Sequence, residues 1–285
     1  MKIYILGISG MLGSKLFTEF LKTKHQVRGS LRRIPKKLIQ YKSKIDADLD
    51  VYNLIKLKKK ILRFKPDIII NCVGVIKQKI FKLDEKDIFY VNSVFPHEAC
   101  KISKISRSKF IHFSTDCVFD GKKGNYKDND EKNAKDIYGI SKSLGELNEN
   151  NSITLRTSII GHELNSKNSL LDWFLGQNKK QCHGYSNAFF SGLPTIEIFN
   201  FIEKFIIKNK KITGIYNLSS TKISKYYLLK IISKIYSKKI MIIKSNNLKI
   251  DRSLNSNKIK NLLNYKCPSW TKLIKNMYLN HTESL

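Results

Sequence analysis

The stretch from Lys2 to Gly13 constrains the fold more than any other part of this chain. Lys2-Ile-Tyr-Ile-Leu6 is a short apolar run that passes directly into Gly7-Ile-Ser-Gly10-Met-Leu-Gly13 and an amphipathic segment reaching Thr23. An apolar run of this length predicts a strand buried on both faces. Glycines between a strand and a helix permit a tight turn and let the backbone approach a bound pyrophosphate. The N–H groups and dipole at the helix start then provide a seat for that anion. The spacing is Gly-x-x-Gly-x-x-Gly and not Gly-x-Gly-x-x-Gly, but the physical demands are the same. Gly7, Ser9, Gly10, Met11, Leu12 and Gly13 are therefore candidate dinucleotide-binding residues.

The same alternation continues. Gln26 to Ser30, Asp67 to Cys72 and Lys109 to Ser114 read as further strands, with a helix around 84–105. Tyr138 to Asn148 reads as a helix and Ser152 to Ile160 as another strand. Strands alternating with helical segments predict an α/β, Rossmann-type doubly wound parallel sheet. Beyond residue 162 the pattern loosens into helix-like segments at 170–178, 195–209, 224–237 and 270–279, with short strands near 214–218 and 240–243. The expected organisation is a dinucleotide-binding domain over 1–161 and a smaller C-terminal substrate-binding lobe over 162–285, partly returning to the main sheet.

Composition excludes several classes. The chain has 285 residues, and 53 Lys+Arg against 23 Asp+Glu give a formal charge of +30. The lysines are spread from end to end among Ile and Asn, as in Lys58-Lys59-Lys60 and Lys208 to Lys211, which reads as compositional bias over an ordinary fold. No nucleic-acid partner is expected. Five cysteines, at 72, 100, 117, 182 and 267, lack Cys-x-x-Cys spacing, so neither a disulfide framework nor a metal site is expected. The N-terminus lacks a signal-peptide layout, and no apolar run approaches the roughly 20 residues that span a bilayer. A cytoplasmic protein is expected.

Where an NAD-binding fold usually carries an acidic residue after its second strand, this chain reads Gly29-Ser30-Leu31-Arg32-Arg33. Arg32 and Arg33 suit a 2′-phosphate, which favours NADPH, with NADH as the alternative. Asp48 and Leu49 are candidates for the adenine edge, and Cys72, Val73 and Gly74 close the next strand where such ligands lie.

Tyr138-Gly-Ile-Ser-Lys142 places a phenol and an ammonium on one helix face. A cation beside a phenol lowers its pKa and makes it a proton donor for a carbonyl undergoing reduction. Alone, the spacing is far more often that of a solvated helix face. Thr115, at a strand end 23 residues earlier, adds a hydroxyl near the crevice.

Together, Gly7-x-x-Gly-x-x-Gly13, Ser114-Thr-Asp-Cys-Val-Phe-Asp-Gly121 and Tyr138-Gly-Ile-Ser-Lys-Ser-Leu-Gly-Glu146 resemble the extended short-chain dehydrogenase/reductases. They look closest to the dTDP-4-dehydrorhamnose reductase branch. That resemblance implies an NAD(P)H-dependent reductase of a nucleotide-diphosphate 4-keto-6-deoxy sugar in cell-surface polysaccharide synthesis. It gives Tyr138 the role of proton donor, Lys142 a grip on the nicotinamide ribose, and Thr115 the keto oxygen. Asp116 matches a carboxylate that assists proton transfer, and Ser158 a nicotinamide contact. Asn92, Thr195 and Arg252 are implied at the substrate, Arg252 at its diphosphate. Trp173 and Phe174 suit either stacking on the substrate or the core. Other readings are an epimerase that retains NAD, or a cofactor-binding regulatory subunit. Dimers are common in the superfamily.

Overall fold

The computed structural model describes residues 1–164 and 167–283. Its main sheet is built from β1 (Lys2–Leu6), β2 (Gln26–Ser30), β3 (Ile45–Asp46), β4 (Ile68–Asn71), β5 (Lys109–Ser114), β6 (Ser152–Arg156) and the strand Gly214–Asn217. Across the sheet the order is Gly214–Asn217, β6, β5, β4, β1, β2, β3, with the β1–β2, β1–β4, β2–β3 and β4–β5 pairs all parallel. All residues of β4 and β5 are buried, as covering helices on both faces require.

Register decides where a ligand can sit. Leu6 pairs with Ser30 on one side and Asn71 on the other, and Asn71 pairs with His112. One row across the sheet therefore ends β1, β2 and β4 together. The strand order reverses between β1 and β4, and such a switch point opens a crevice beyond the carboxyl ends of the strands.

The helices of this half are α1 (Met11–Leu21), α2 (Leu54–Phe64), α3 (Glu85–Phe89), α4 (Phe95–Ile105) and α5 (Ile137–Leu144). Asn53 caps α2 by accepting from Lys56 N at 2.9 Å, and Asp136 caps α5 by accepting from Gly139 N at 2.8 Å. Tyr4, Leu6, Leu57, Ile61, Ile69, Phe95 and Phe110 form the core between the sheet and its helices. Transferring such side chains from water stabilises by about 1.5–3 kcal/mol each before entropy is counted.

The chain divides into two compact units that interleave along the sequence, in place of the single cut expected at 161/162. The first comprises Met1–Thr115, Lys135–Leu155 and Ile206–Ile215; the second comprises Asp116–Ala134, Arg156–Phe205 and Tyr216–Leu285. The second unit contains a small sheet of Ile223–Ser224, Ala188–Phe190 and Ile250–Asp251, and a parallel pair, Gln181–Tyr185 with Met241–Ser245. Its principal helices are Thr195–Phe201, Lys225–Ile235 and Trp270–Thr282.

The expected helix 138–148 stops at Leu144, and the expected strand 152–160 divides into Ser152–Arg156 and Ile159–Ile160. Backbone packing explains the first difference. A Cβ on Gly145 would lie 1.9 Å from the Asn92 carbonyl oxygen, so only glycine lets α5 end against the widened turn Tyr90–Val94. Gly145→Ala is expected to destabilise the protein by about 2–3 kcal/mol, because the obstacle is backbone and not a movable side chain. Urea unfolding with an unchanged slope and an unchanged midpoint would contradict this.

Candidate active site

The floor of the crevice is the turn after β1. Gly7 has φ +80°, and the amides of Gly7 and Ile8 both donate to the Ser30 carbonyl, at 3.0 and 3.1 Å. The three glycines are required for different reasons. A Cβ on Gly7 would meet Val73 Cγ2 at 2.9 Å, and one on Gly13 would lie 2.3 Å from the Gly7 carbonyl oxygen. A Cβ on Gly10 would meet nothing nearer than 3.7 Å. Gly7 and Gly13 thus serve internal packing, while Gly10 is exposed and leaves open space in front of α1. Gly10 caps α1 without a side-chain bond, and the first turn holds no acidic residue, so the positive end of the helix is left for an external anion. These residues fit the diphosphate of a dinucleotide.

At the end of β2 the chain binds its neighbours through backbone. Leu31 N donates to Asp46 O, Asp48 N to Arg32 O, and Leu49 N to Leu31 O, at 3.1–3.3 Å. This brings Arg32 and Asp48 side by side, both exposed with Arg33, while the Leu49 side chain goes into the core. The nearby carboxylate is already committed. Asp46 takes Arg28 Nη2 at 3.0 Å, Lys60 at 3.1 Å and the Tyr4 hydroxyl at 2.9 Å. Burial works to raise the Asp46 carboxyl, but the bonds from Arg28, Lys60 and Tyr4 outweigh it and hold it below the usual range. The end of β2 is therefore basic, which fits a 2′-phosphate.

On the far side of the floor, Val73 N donates to Asn71 Oδ1 at 3.1 Å, and Gly74 is exposed. A Cβ on Gly74 would lie 3.4 Å from Asn92 Oδ1 and 3.9 Å from Lys142 Nζ, so this glycine borders the catalytic candidates. Lys142 is only 6% exposed and donates from Nζ to the Phe113 carbonyl at 2.8 Å. Burial lowers its pKa to about 8, with Glu146 and Cys72 working in the opposite direction. Tyr138, one turn earlier on α5, is half-buried against the cluster of Val75, Ile80 and Ile88. Thr115 follows the last residue of β5, two residues beyond the carbonyl that holds Lys142, and is buried. A phenol, a dehydrated ammonium and a hydroxyl at a strand end are the groups that proton donation to a carbonyl oxygen requires.

Asn92, expected at the substrate, has a different position. It is fully buried, and its carboxamide accepts from Val75 N at 2.8 Å and donates to Val75 O and Ser141 Oγ at 3.2 and 3.1 Å. Ser93 Oγ donates to Ser141 O at 2.8 Å. Asn92 is thus a brace that ties α5 to the segment after β4. Sequence reasoning also missed Asp136, which caps α5 and pairs with Lys77 at 2.7 Å, and Glu146, which accepts from Ser114 Oγ at 2.8 Å. Residues so far apart in sequence carry no spacing signal; only Asp136 before an apolar helix was findable, as a capping residue.

In the second unit, Asp116 is buried at the start of the short turn Asp116–Val118. Arg252 donates from Nε to the Phe119 carbonyl at 2.8 Å. Burial lowers the pKa of Lys225; Asp116 and Cys117 oppose that shift and Arg252 adds to it, so Lys225 is a further half-buried cation of this unit that the sequence reading did not name. Thr195, the first residue of its helix, is buried, and Ser158 is half-buried. Trp173 is partly exposed, whereas Phe174 is entirely in the core. Among the described residues there is no cluster of three or more metal-ligating side chains, and no helix is long and apolar enough to cross a membrane.

The strand order, the glycine turn at the switch point and the Tyr–Lys pair on the helix after β5 define an extended short-chain dehydrogenase/reductase fold. The chain belongs to the RmlD substrate binding domain family, whose model matches residues 1–282. It is 24% identical over 233 residues to the spore coat polysaccharide biosynthesis protein SpsK of Bacillus subtilis, covering 79% of this chain and 76% of that one. It is 33% identical over 117 residues to the dTDP-4-dehydrorhamnose reductase of Aggregatibacter actinomycetemcomitans, covering 39% and 40% of the two chains. The crystal structure of dTDP-4-dehydrorhamnose reductase from Bacillus anthracis in complex with NADP superposes with a TM-score of 0.80 at 21% identity, covering 98% of this chain and 99% of that one.

The different roles of the glycines can be separated. Gly13→Ala is expected to cost about 2–3 kcal/mol of stability, as overpacking against backbone does. Gly10→Ala should keep stability within about 0.5 kcal/mol and weaken NADPH binding about tenfold or more, the loss of roughly one anion–amide contact. Thermal unfolding and fluorescence titration of both variants check this; equal destabilisation would contradict it.

Proposed function

We propose that this protein is an NADPH-dependent reductase of a nucleotide-diphosphate 4-keto-6-deoxy sugar, acting in the cytoplasm in the synthesis of a cell-surface polysaccharide. Family membership and the names of the relatives support the substrate class. The observation that carries the chemistry is the placement of Lys142. Its ammonium is withdrawn from water, fixed on the Phe113 carbonyl, one helical turn from Tyr138 and beside Gly74. The cysteines form no disulfide among the described residues, which fits a reducing compartment.

When bound, a dinucleotide would supply hydride to the keto carbon. The Gly7–Gly13 turn and the start of α1 hold its diphosphate, and Arg32 and Arg33 hold its 2′-phosphate. Lys142 grips the nicotinamide ribose, and its charge favours the phenolate form of Tyr138, which makes the phenol a stronger acid. The Tyr138 hydroxyl donates its proton to the sugar oxygen as that oxygen gains charge. Thr115 Oγ1 donates a hydrogen bond to the same oxygen and orients it. Asp116, Thr195 and Arg252 are the further candidates for the sugar nucleotide, with the guanidinium of Arg252 suited to phosphate oxygens.

Tyr138→Phe is expected to lower kcat about 10²–10⁴-fold, the usual loss of a general acid, while NADPH affinity stays within about twofold. Unchanged reduction of a keto-sugar nucleotide by this variant would sink the assignment. Replacing both Arg32 and Arg33 by Ala should raise KM for NADPH by about tenfold or more, as lost charge-assisted bonds to a phosphate require. KM for NADH should stay nearly constant. Parallel kinetics with both dinucleotides make the comparison, and equal losses for the two would contradict the 2′-phosphate role.

A further inference from the structure

The elements around Lys142 include a buried carboxylate that the chemistry above does not use. Glu146 is 8% exposed and is held by the Ser114 hydroxyl at 2.8 Å, while Lys142 is held by the carbonyl of Phe113. Both side chains are thus moored to consecutive residues at the carboxyl end of β5. The mooring follows from the way α5 ends. Gly145 abuts the Asn92 carbonyl, the helix stops, and the chain turns so that Glu146 reaches Ser114. The next residue is locked as well: Leu147 N donates to Thr154 Oγ1 at 3.1 Å, and that hydroxyl donates to Leu147 O at 2.9 Å.

Among the described residues, Glu146, Cys72 and His112 interact electrostatically with Lys142, and Tyr138 lies one helical turn before it. Cys72, after β4, has its thiol pushed up by burial, with Lys142 opposing. His112, on β5, is held well below its ordinary range by burial, Lys142 and His97; its Nδ1 lies 3.1 Å from Asn71 Nδ2. Both are neutral at physiological pH. Tyr138 is the proton donor itself. The remaining group is the Glu146 carboxylate. A buried ammonium without an opposite charge loses its proton readily, because dehydration penalises the charged form.

We propose that Glu146 is a positioning residue for the reduction: its buried carboxylate keeps Lys142 protonated, and through Lys142 it sets the acidity of Tyr138. The proposal rests on the reading of Tyr138 and Lys142 as the redox pair. Removing the carboxylate lets burial lower the Lys142 pKa further. The alkaline limb of the rate profile, where the ammonium is lost, must then move to lower pH.

Two measurements on the full chain test this separately. Competitive acetylation of the protein without dinucleotide, read at Lys142 by mass spectrometry, reports the titration of that amine without any turnover. In Glu146→Gln its midpoint is expected to fall by about one pH unit or more, in Glu146→Asp to remain close to wild type, and in Ser114→Ala to fall part of the way. The second measurement is kcat against pH for NADPH oxidation with dTDP-, UDP- and GDP-linked 4-keto sugars. The alkaline limb of Glu146→Gln should move down by the same amount, with NADPH affinity below pH 7 nearly unchanged. A folded Glu146→Gln whose Lys142 midpoint matches wild type would overturn the proposal, as would a uniform rate loss with a wild-type profile. Should Glu146→Gln fail to fold, Ser114→Ala decides by the same criteria. A wild-type enzyme inactive on every sugar defeats the reductase reading, and the acetylation midpoints still decide whether Glu146 controls Lys142.

Discussion

Dehydrating an ammonium costs several kcal/mol even after relaxation, and the first unit meets that cost at Lys142. Its Nζ donates to the Phe113 carbonyl, near the carboxyl end of β5. That bond fixes α5 against the sheet, and α5 carries Tyr138. The Asn92 carboxamide, the Asp136 cap and the glycine at 145 each hold the same helix from another side. A depressed lysine in a crevice is costly for stability and useful for acid chemistry, which is the usual character of a working site.

Sheet register links this pair to the cofactor crevice. Because Leu6, Ser30 and Asn71 lie in one row, the glycine turn after β1 and the Cys72–Gly74 segment after β4 emerge together. Gly7 packs on Val73, and Gly74 borders Lys142, so the glycine turn and the Lys142 ammonium are linked through the Cys72–Gly74 segment. A one-residue slip in either pairing would send alternate side chains to the opposite face and dismantle the arrangement.

Much of this was legible in the chain. The strands Lys2–Leu6, Ile68–Asn71 and Lys109–Ser114 announce themselves as apolar runs, and the Gly-x-x-Gly-x-x-Gly turn fixes the fold class. Tyr138, Lys142 and Thr115 were placed correctly on a helix and a strand end. What escaped depends on partners far apart in sequence. Asn92 pairs with Ser141 across 49 residues, Ser114 with Glu146 across 32, and Arg28 with Asp46 through a turn with no periodic signal. The interleaved units escaped for the same reason: Asp116–Ala134 belongs with residues after 156 because of tertiary packing, which no local composition records. The early end of α5 came from a glycine that also suits a helix terminus, and only its contact with Asn92 shows why.

The central claim is that hydride reaches a sugar carbonyl while Tyr138 protonates its oxygen. Its most direct test is isotopic. The purified protein would be incubated with NADPH deuterated at nicotinamide C4, each isotopic face separately, and the dTDP-, UDP- and GDP-linked 4-keto-6-deoxy sugars. The account predicts one equivalent of NADP released per sugar reduced, with deuterium at the former keto carbon from one face only. A product formed without deuterium at that carbon, or without consumption of NADPH, would contradict it.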